Sequence, residues 1–101
     1  MGLKLKTGVI LDGLHFRMLP VLVAAEQIYH DEGFDLWVTS GLDGVHSDNS
    51  LHYTGKGLDF RTRFFTKAQT KLVFEKLKVA LGRDYDYVLH STHIHIEWDP
   101  K

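Results

Sequence analysis

Residues 93–98 read His93-Ile94-His95-Ile96-Glu97-Trp98, a strict alternation of polar and apolar side chains. Successive side chains on a strand point to opposite faces. His93, His95 and Glu97 therefore share one face, while Ile94, Ile96 and Trp98 share the other, against the core. A second polar stretch, Ser50-Leu51-His52-Tyr53-Thr54-Gly55-Lys56-Gly57-Leu58-Asp59, ends in the same way. Leu58 and Phe60 flank Asp59, which places its carboxylate on a polar face between two core residues. If the two strands lie in one sheet with polar faces aligned, Asp59 and His95 reach a common ion. His52 precedes Asp59, with Gly55 and Gly57 between them. Those glycines let the chain turn tightly and return His52 to the carboxylate. His52, Asp59, His93 and His95 are four groups of the kind that bind zinc. Three protein ligands plus one open position is the arrangement of a catalytic zinc site.

The chain of 101 residues is enough for one small domain spanning residues 1–101. Hydrophobic residues make up 44%, so a modest core can form. Net charge is −1 with histidine neutral, and the 12 basic residues are scattered, which argues against a nucleic-acid footprint. With no cysteine, neither a disulfide nor a thiolate metal site is available. Any metal must be held by imidazole and carboxylate, which suits zinc and leaves iron, cobalt, nickel or manganese open. Histidine is abundant at seven residues, and most of them fall from His46 onward. The start, Met1-Gly2-Leu3-Lys4-Leu5-Lys6, lacks the long apolar stretch and cleavage site of a signal peptide. Cytoplasmic synthesis is expected, with action at a cell wall after release. The apolar run Pro20 to Ala25 is far too short to span a membrane. A monomer with no membrane or nucleic-acid partner is expected.

Residues 1–13 read as an arm with a short strand near Val9–Leu11. A helix is predicted from Phe16 to Asp31, where Met18, Val21, Leu22, Ala25, Ile28 and Tyr29 form an apolar stripe at helical spacing. Pro20 must lie in its first turn, where the missing N–H costs little, and Gly33 suits its C-terminal stop. Phe34 to Ser40, rich in aromatic and β-branched residues, reads as a strand. Gly41 to Asn49 reads as a loop, and Gly57 to Thr62 as the strand carrying Asp59. Thr66 caps a second helix, Lys67 to Leu81, with Ala68, Leu72, Val73, Leu77, Ala80 and Leu81 on its buried side and Gly82 at its end. Asp84 to His90 is a further strand, joined by Ser91-Thr92 to the last one as a hairpin. Short connections between sequential strands favour antiparallel pairing. The predicted fold is α+β: a small antiparallel sheet with both helices on one face and the metal site on the other.

The pattern Ser50-x-His52-x-x-Gly55-x-Gly57-x-Asp59, followed by His93-x-His95, resembles the zinc D-alanyl-D-alanine carboxypeptidases and L-alanyl-D-glutamate endopeptidases. These hydrolyse peptides of the bacterial cell wall, and bacteriophages encode small versions as lysis enzymes. The Hedgehog signalling domain shares their fold. The local match covers residues 50–62 and 91–99. The first motif is fairly specific, and the final His-x-His gains its weight from that company. The resemblance implies His52, Asp59 and His95 as zinc ligands, Ser50 as a substrate contact, and His93 as a residue next to the metal. It implies a metallopeptidase acting on short peptidoglycan peptides. Two departures stand out. Many members carry a carboxylate three residues before the last ligand as general base, where this chain has Thr92. Many also carry an arginine soon after the strand's Ser-Gly, where Ser40-Gly41 is followed here by Leu42-Asp43.

Threonine cannot take up a proton at neutral pH, so His93 becomes the candidate base, since imidazole titrates near neutrality. Glu97 shares the face of His95 and reads more readily as a surface or supporting group than as the base. Arg61, two residues beyond Asp59 on the same strand face, is a candidate for a substrate carboxylate or for a structural ion pair. His90 has no face assigned by the sequence, and His15, His30 and His46 read as surface residues. The competing reading is a non-catalytic zinc domain of the same fold, with a structural or recognition role. A structural site would be closed by a fourth protein ligand, His93 or Glu97.

Overall fold

The computed structural model describes residues 2–42 and 55–100. The sheet is built around the two stretches quoted above. Strand β3 (Gly57–Arg61) pairs antiparallel with β5 (His93–Trp98), and the register sets Leu58 opposite Ile96 and Phe60 opposite Ile94. All four of these side chains are fully buried. Each contributes about 1.5–3 kcal/mol of hydrophobic burial relative to exposure. That alternation pins the register, because a one-residue slip would turn every one of them to water. The same register puts Asp59 directly opposite His95 and Arg61 opposite His93 on the other face.

Strand β4 (Tyr85–Leu89) pairs antiparallel with β5 as a hairpin, whose turn is closed by His90 N–H donating to His93 O at 2.9 Å. On the other flank, β2 (Leu36–Ser40) pairs antiparallel with β3, and β1 (Leu3–Leu5) pairs parallel with β2. The sheet order is β1-β2-β3-β5-β4. The antiparallel expectation thus holds for three of these pairings, and β1 makes the sheet mixed. The strand expected near Val9–Leu11 is not formed. Val9 and Leu11 instead pack partly buried against the core, and Ile10 O accepts from Leu42 N–H at 2.8 Å.

Helix α1 (Leu19–Asp31) follows a 3-10 turn at Phe16–Met18 and carries Pro20 in its first turn. It buries Val21, Ala25, Ile28 and Tyr29, with Met18 buried in the turn before it, while Leu22 of the expected stripe is only partly buried. Gly33 follows it at φ +87°, a conformation glycine adopts without penalty. Helix α2 (Lys67–Leu81) starts at Thr66, whose hydroxyl accepts from Gln69 N–H at 3.1 Å while the Gln69 side chain accepts from Thr66 N–H at 2.9 Å. This reciprocal cap satisfies two N–H groups that the helix leaves open. The buried side of α2 is narrower than its apolar content suggests. Val73 and Leu77 are buried with Phe74 and Leu81 partly so, whereas Ala68, Leu72 and Ala80 are exposed. Those three lie around the helix from the stripe that faces the core. Both helices pack on the face of the sheet that carries Leu58, Phe60, Ile94 and Ile96. The opposite face carries Asp59, His93, His95 and Glu97. No helix among the described residues is long and apolar enough to cross a membrane.

Candidate metal centre

Backbone hydrogen bonds fix the ends of the site-bearing strands. Thr62 N–H donates to Thr92 O at 2.9 Å, and Trp98 N–H donates to Lys56 O at 2.8 Å, so β3 and β5 are tied at both ends. From the helical layer, the Tyr29 hydroxyl donates to Arg61 O at 2.8 Å, and burial pushes that phenol well above its ordinary pKa. Gly55 enters β3 at φ +74°, and a Cβ there would lie 2.5 Å from Gly13 O and 2.9 Å from His15 N. Its carbonyl accepts from His15 N–H at 2.9 Å. Both the left-handed backbone and the close approach therefore demand glycine at this position. Gly57 lies within β3 itself.

On the open face, the Asp59 Oδ1 atom lies 2.8 Å from His95 Nδ1, and His95 Nε2 lies 2.7 Å from Glu97 Oε1. The imidazole is thus held between two carboxylates, with 14% of its side chain exposed. Burial pulls the His95 pKa down, but the hydrogen bonds and charges of Asp59 and Glu97 outweigh it, and the ring titrates above its ordinary value. His93 stands beside the pair, its Nε2 3.9 Å from Asp59 Oδ2 and its Nδ1 3.2 Å from Thr92 Oγ1. The His90 ring stacks on that of His93, with centroids 4.5 Å apart.

Of the residues singled out in the sequence, Asp59, His95 and His93 come together, and Glu97 joins them. Arg61 stacks over Trp37, 4.9 Å from the ring centroid, and lines a cleft of about 280 Å³ with Asp59 and His93. Lys6, Arg63, Thr39, Ser40 and Thr92 complete its lining. Sequence reasoning missed Lys6, Arg63, Thr39 and Ser40. The alternation along Leu36–Ser40 carried a signal for Thr39, whereas nothing in the local pattern marked Lys6 or Arg63. His52 and Ser50 lie outside the described residues, as does His46. His15 is half-buried, and its Nδ1 accepts from Arg17 N–H at 3.1 Å, capping the 3-10 turn. His30 is exposed, as expected. A larger, more apolar groove of about 680 Å³ lies beside Phe65, Phe74 and Leu89 and contains none of the Asp59–His95–Glu97 set.

The donor chemistry fits zinc. One carboxylate oxygen and one imidazole nitrogen lie together on the open face of the sheet, and zinc takes both kinds of ligand. A second acidic group lies alongside. Asp86, Glu97 and Asp99 bring carboxylate oxygens within 4.8 Å of one another, close enough to share a cation. The arrangement supplies two fixed donors, a flanking imidazole and a cationic cleft.

Two known proteins are similar to this chain. It is 35% identical over 75 residues to Tiggy-winkle hedgehog protein of Danio rerio, an overlap of 72% of this chain and 18% of that protein. It is 35% identical over 65 residues to Indian hedgehog B protein of Danio rerio, covering 62% of this chain and 16% of that protein. The chain therefore spans less than a fifth of the length of these relatives. No protein-family model matches it. The hedgehog similarity is compatible with the fold of zinc hydrolases, which is the fold named by the resemblance of the His52–Asp59 and His93–His95 motifs.

Proposed function

We propose that the chain is a zinc-dependent metallopeptidase acting on short peptides of bacterial peptidoglycan, of the small type that phages use in lysis. The observation that carries the reading is the convergence of Asp59 Oδ1 and His95 Nδ1 at 2.8 Å, with the His93 imidazole beside them on an open cleft. Asp59 and His95 would hold the zinc, with His52 as the third ligand that the motif resemblance implies. When bound, zinc polarises the scissile carbonyl and makes water an adequate nucleophile at neutral pH. His93 Nε2 faces Asp59 and serves as the base: it accepts a proton from the attacking water and returns it to the leaving amine. When the Thr92 hydroxyl accepts from Nδ1–H, the lone pair of His93 sits on Nε2, the nitrogen nearer the site. Arg61, with Lys6 and Arg63 on the same cleft, draws in a substrate carboxylate and replaces the arginine missing after Ser40-Gly41. Ser50 contacts the substrate as well. That the peptide comes from peptidoglycan rests on the motif resemblance.

A second reading is a non-catalytic zinc domain with a recognition role. It is favoured by Thr92, which stands where a carboxylate base is common, and whose hydroxyl lies against His93. Digestion of purified muropeptides by the zinc-loaded protein, followed by mass spectrometry, separates the two. A peptidase cleaves them, and chelation abolishes the cleavage. If the wild type cleaves none of them while Thr92→Glu gains activity, the non-catalytic reading replaces the first.

A further inference from the structure

We infer that the groove between helix α2 and the β4–β5 turn docks an acidic segment of a partner protein, one that carries an apolar side chain between its carboxylates. The inference goes beyond the metal centre and does not depend on it. Helix α2 sets Lys67, Thr70, Lys71, Phe74 and Glu75 along the groove. Spacings of three and four put them on one side of the helix, beside the stripe of Val73 and Leu77 that enters the core. Phe65 is the recessed apolar surface. It is 9% exposed, and its ring lies 5.0 Å from that of Tyr29, 5.2 Å from Phe34 and 4.9 Å from Phe64. Phe74 meets Tyr87 edge-on, with centroids 6.5 Å apart. Leu89, 45% exposed, lines the groove from β4. An apolar side chain entering here meets aromatic surface already held in place by its neighbours.

The rim is cationic. Arg63, Lys67 and Lys71 are exposed, and the acidic residue among the lining side chains is Glu75. Among the described residues, none of these three cations forms an ion pair. The fold gains little from their placement. Lys67 opens α2, where the helix dipole favours anions, and the first turn holds no acidic residue. Lys71 follows four residues later, where like charges repel, and it precedes Glu75 in the less favourable order for a helical pair. Carboxylates from outside would match this charge. A bilayer would need apolar side chains that protrude past the cations, whereas Phe65 is recessed. A single-stranded nucleic acid stacks its bases on exposed aromatic faces, which so buried a ring does not offer. A peptide with carboxylates on either side of an aliphatic or aromatic residue fits both the rim and the floor.

The test measures fluorescence anisotropy of labelled synthetic peptides with the full chain, in the presence of a chelator. One peptide places leucine and phenylalanine between glutamates. Two controls replace its glutamates by glutamine or its apolar pair by serine. The first peptide is expected to bind saturably, more weakly as salt rises, and more tightly than either control. Lys67→Glu with Lys71→Glu is expected to weaken binding about tenfold. Its melting temperature should hold or rise, because glutamate suits the start of a helix. Lys67→Gln with Lys71→Gln, which only removes charge, should lose a smaller part in the same direction. Leu89→Asp, at an exposed position, should weaken binding as well. Arg63 also borders the cleft beside Asp59 and is left unchanged. No binding of the first peptide, equal binding of either control, or unchanged affinity in the lysine variants overturns the inference. Oligodeoxythymidylate or phosphatidylglycerol vesicles bound as tightly as the peptide overturn it too, by assigning the groove to another class of partner. So does cleavage of the bound peptide by the zinc-loaded protein, since the ligand would then be substrate. A wild type that holds no zinc but binds the peptide removes the metal-centre reading and leaves this one standing.

Discussion

Asp59→Ala separates what this carboxylate does for the fold from what it does for the metal, because the two effects run in opposite directions with pH. In metal-free protein, Asp59 accepts from His95 at 2.8 Å, and both side chains are mostly buried at 16% and 14% exposure. A hydrogen bond to a charged group contributes about 1.5–3 kcal/mol, and the lower end applies because Glu97 still holds the ring and water reaches the site. For a domain of this size, about 1.5 kcal/mol corresponds to a fall in Tm of roughly 6–12 °C. The folded-state pKa of His95 is raised above its ordinary 6.5. Stability from a raised pKa is fully present below the unfolded value and is lost as pH rises through the folded one. The deficit of Asp59→Ala in chelated protein should therefore be largest near pH 6 and shrink toward pH 9. Zinc shows the reverse trend. It takes only unprotonated nitrogen, so its stabilisation of the wild type grows as pH rises, while Asp59→Ala gains little from zinc at any pH. Circular-dichroism melts from pH 6 to 9, with chelator and with excess zinc, test both halves. Parallel curves for wild type and variant in chelator would refute the pairing, and equal zinc stabilisation of the two would refute the ligand role.

His93→Ala should lower kcat by roughly 10²-fold or more, the scale of a lost general base, while zinc content stays at the wild-type level; retained activity on muropeptides would transfer the role to another group. Gly55→Ala should destabilise the fold by about 2 kcal/mol, from the left-handed backbone at φ +74° and the collision with Gly13 and His15, and an unchanged midpoint in urea would contradict the close approach drawn here.

The sequence made the site-bearing strands legible because their side chains alternate so strictly. Leu58, Phe60, Ile94 and Ile96 could be buried together in one way only, and that choice put Asp59 opposite His95. Helix α2 was equally legible at its ends, where Thr66, Gln69 and Gly82 carry local capping chemistry. Strand β1 was not. Leu3 and Leu5 are each 45% exposed, and the strand exists through parallel pairing with β2, more than thirty residues away. Such pairing leaves no local periodicity to read. The cleft was half legible for a related reason. Arg61 follows from its place two residues after Asp59, but Lys6 and Arg63 lie beyond strand ends and reach the cleft through tertiary structure. Glu97 was placed on the correct face, yet its contact with His95 Nε2 depends on how the ring is turned, which alternation alone does not set.

The central claim is a metal held by Asp59 and His95, and it is tested most directly by metal analysis of the purified protein and its variants after equilibration with zinc. The account predicts about one zinc per chain in the wild type. It predicts loss of tightly bound zinc in Asp59→Ala, in His95→Ala and in His52→Ala, with each variant still folded. Full zinc occupancy in both Asp59→Ala and His95→Ala would contradict it.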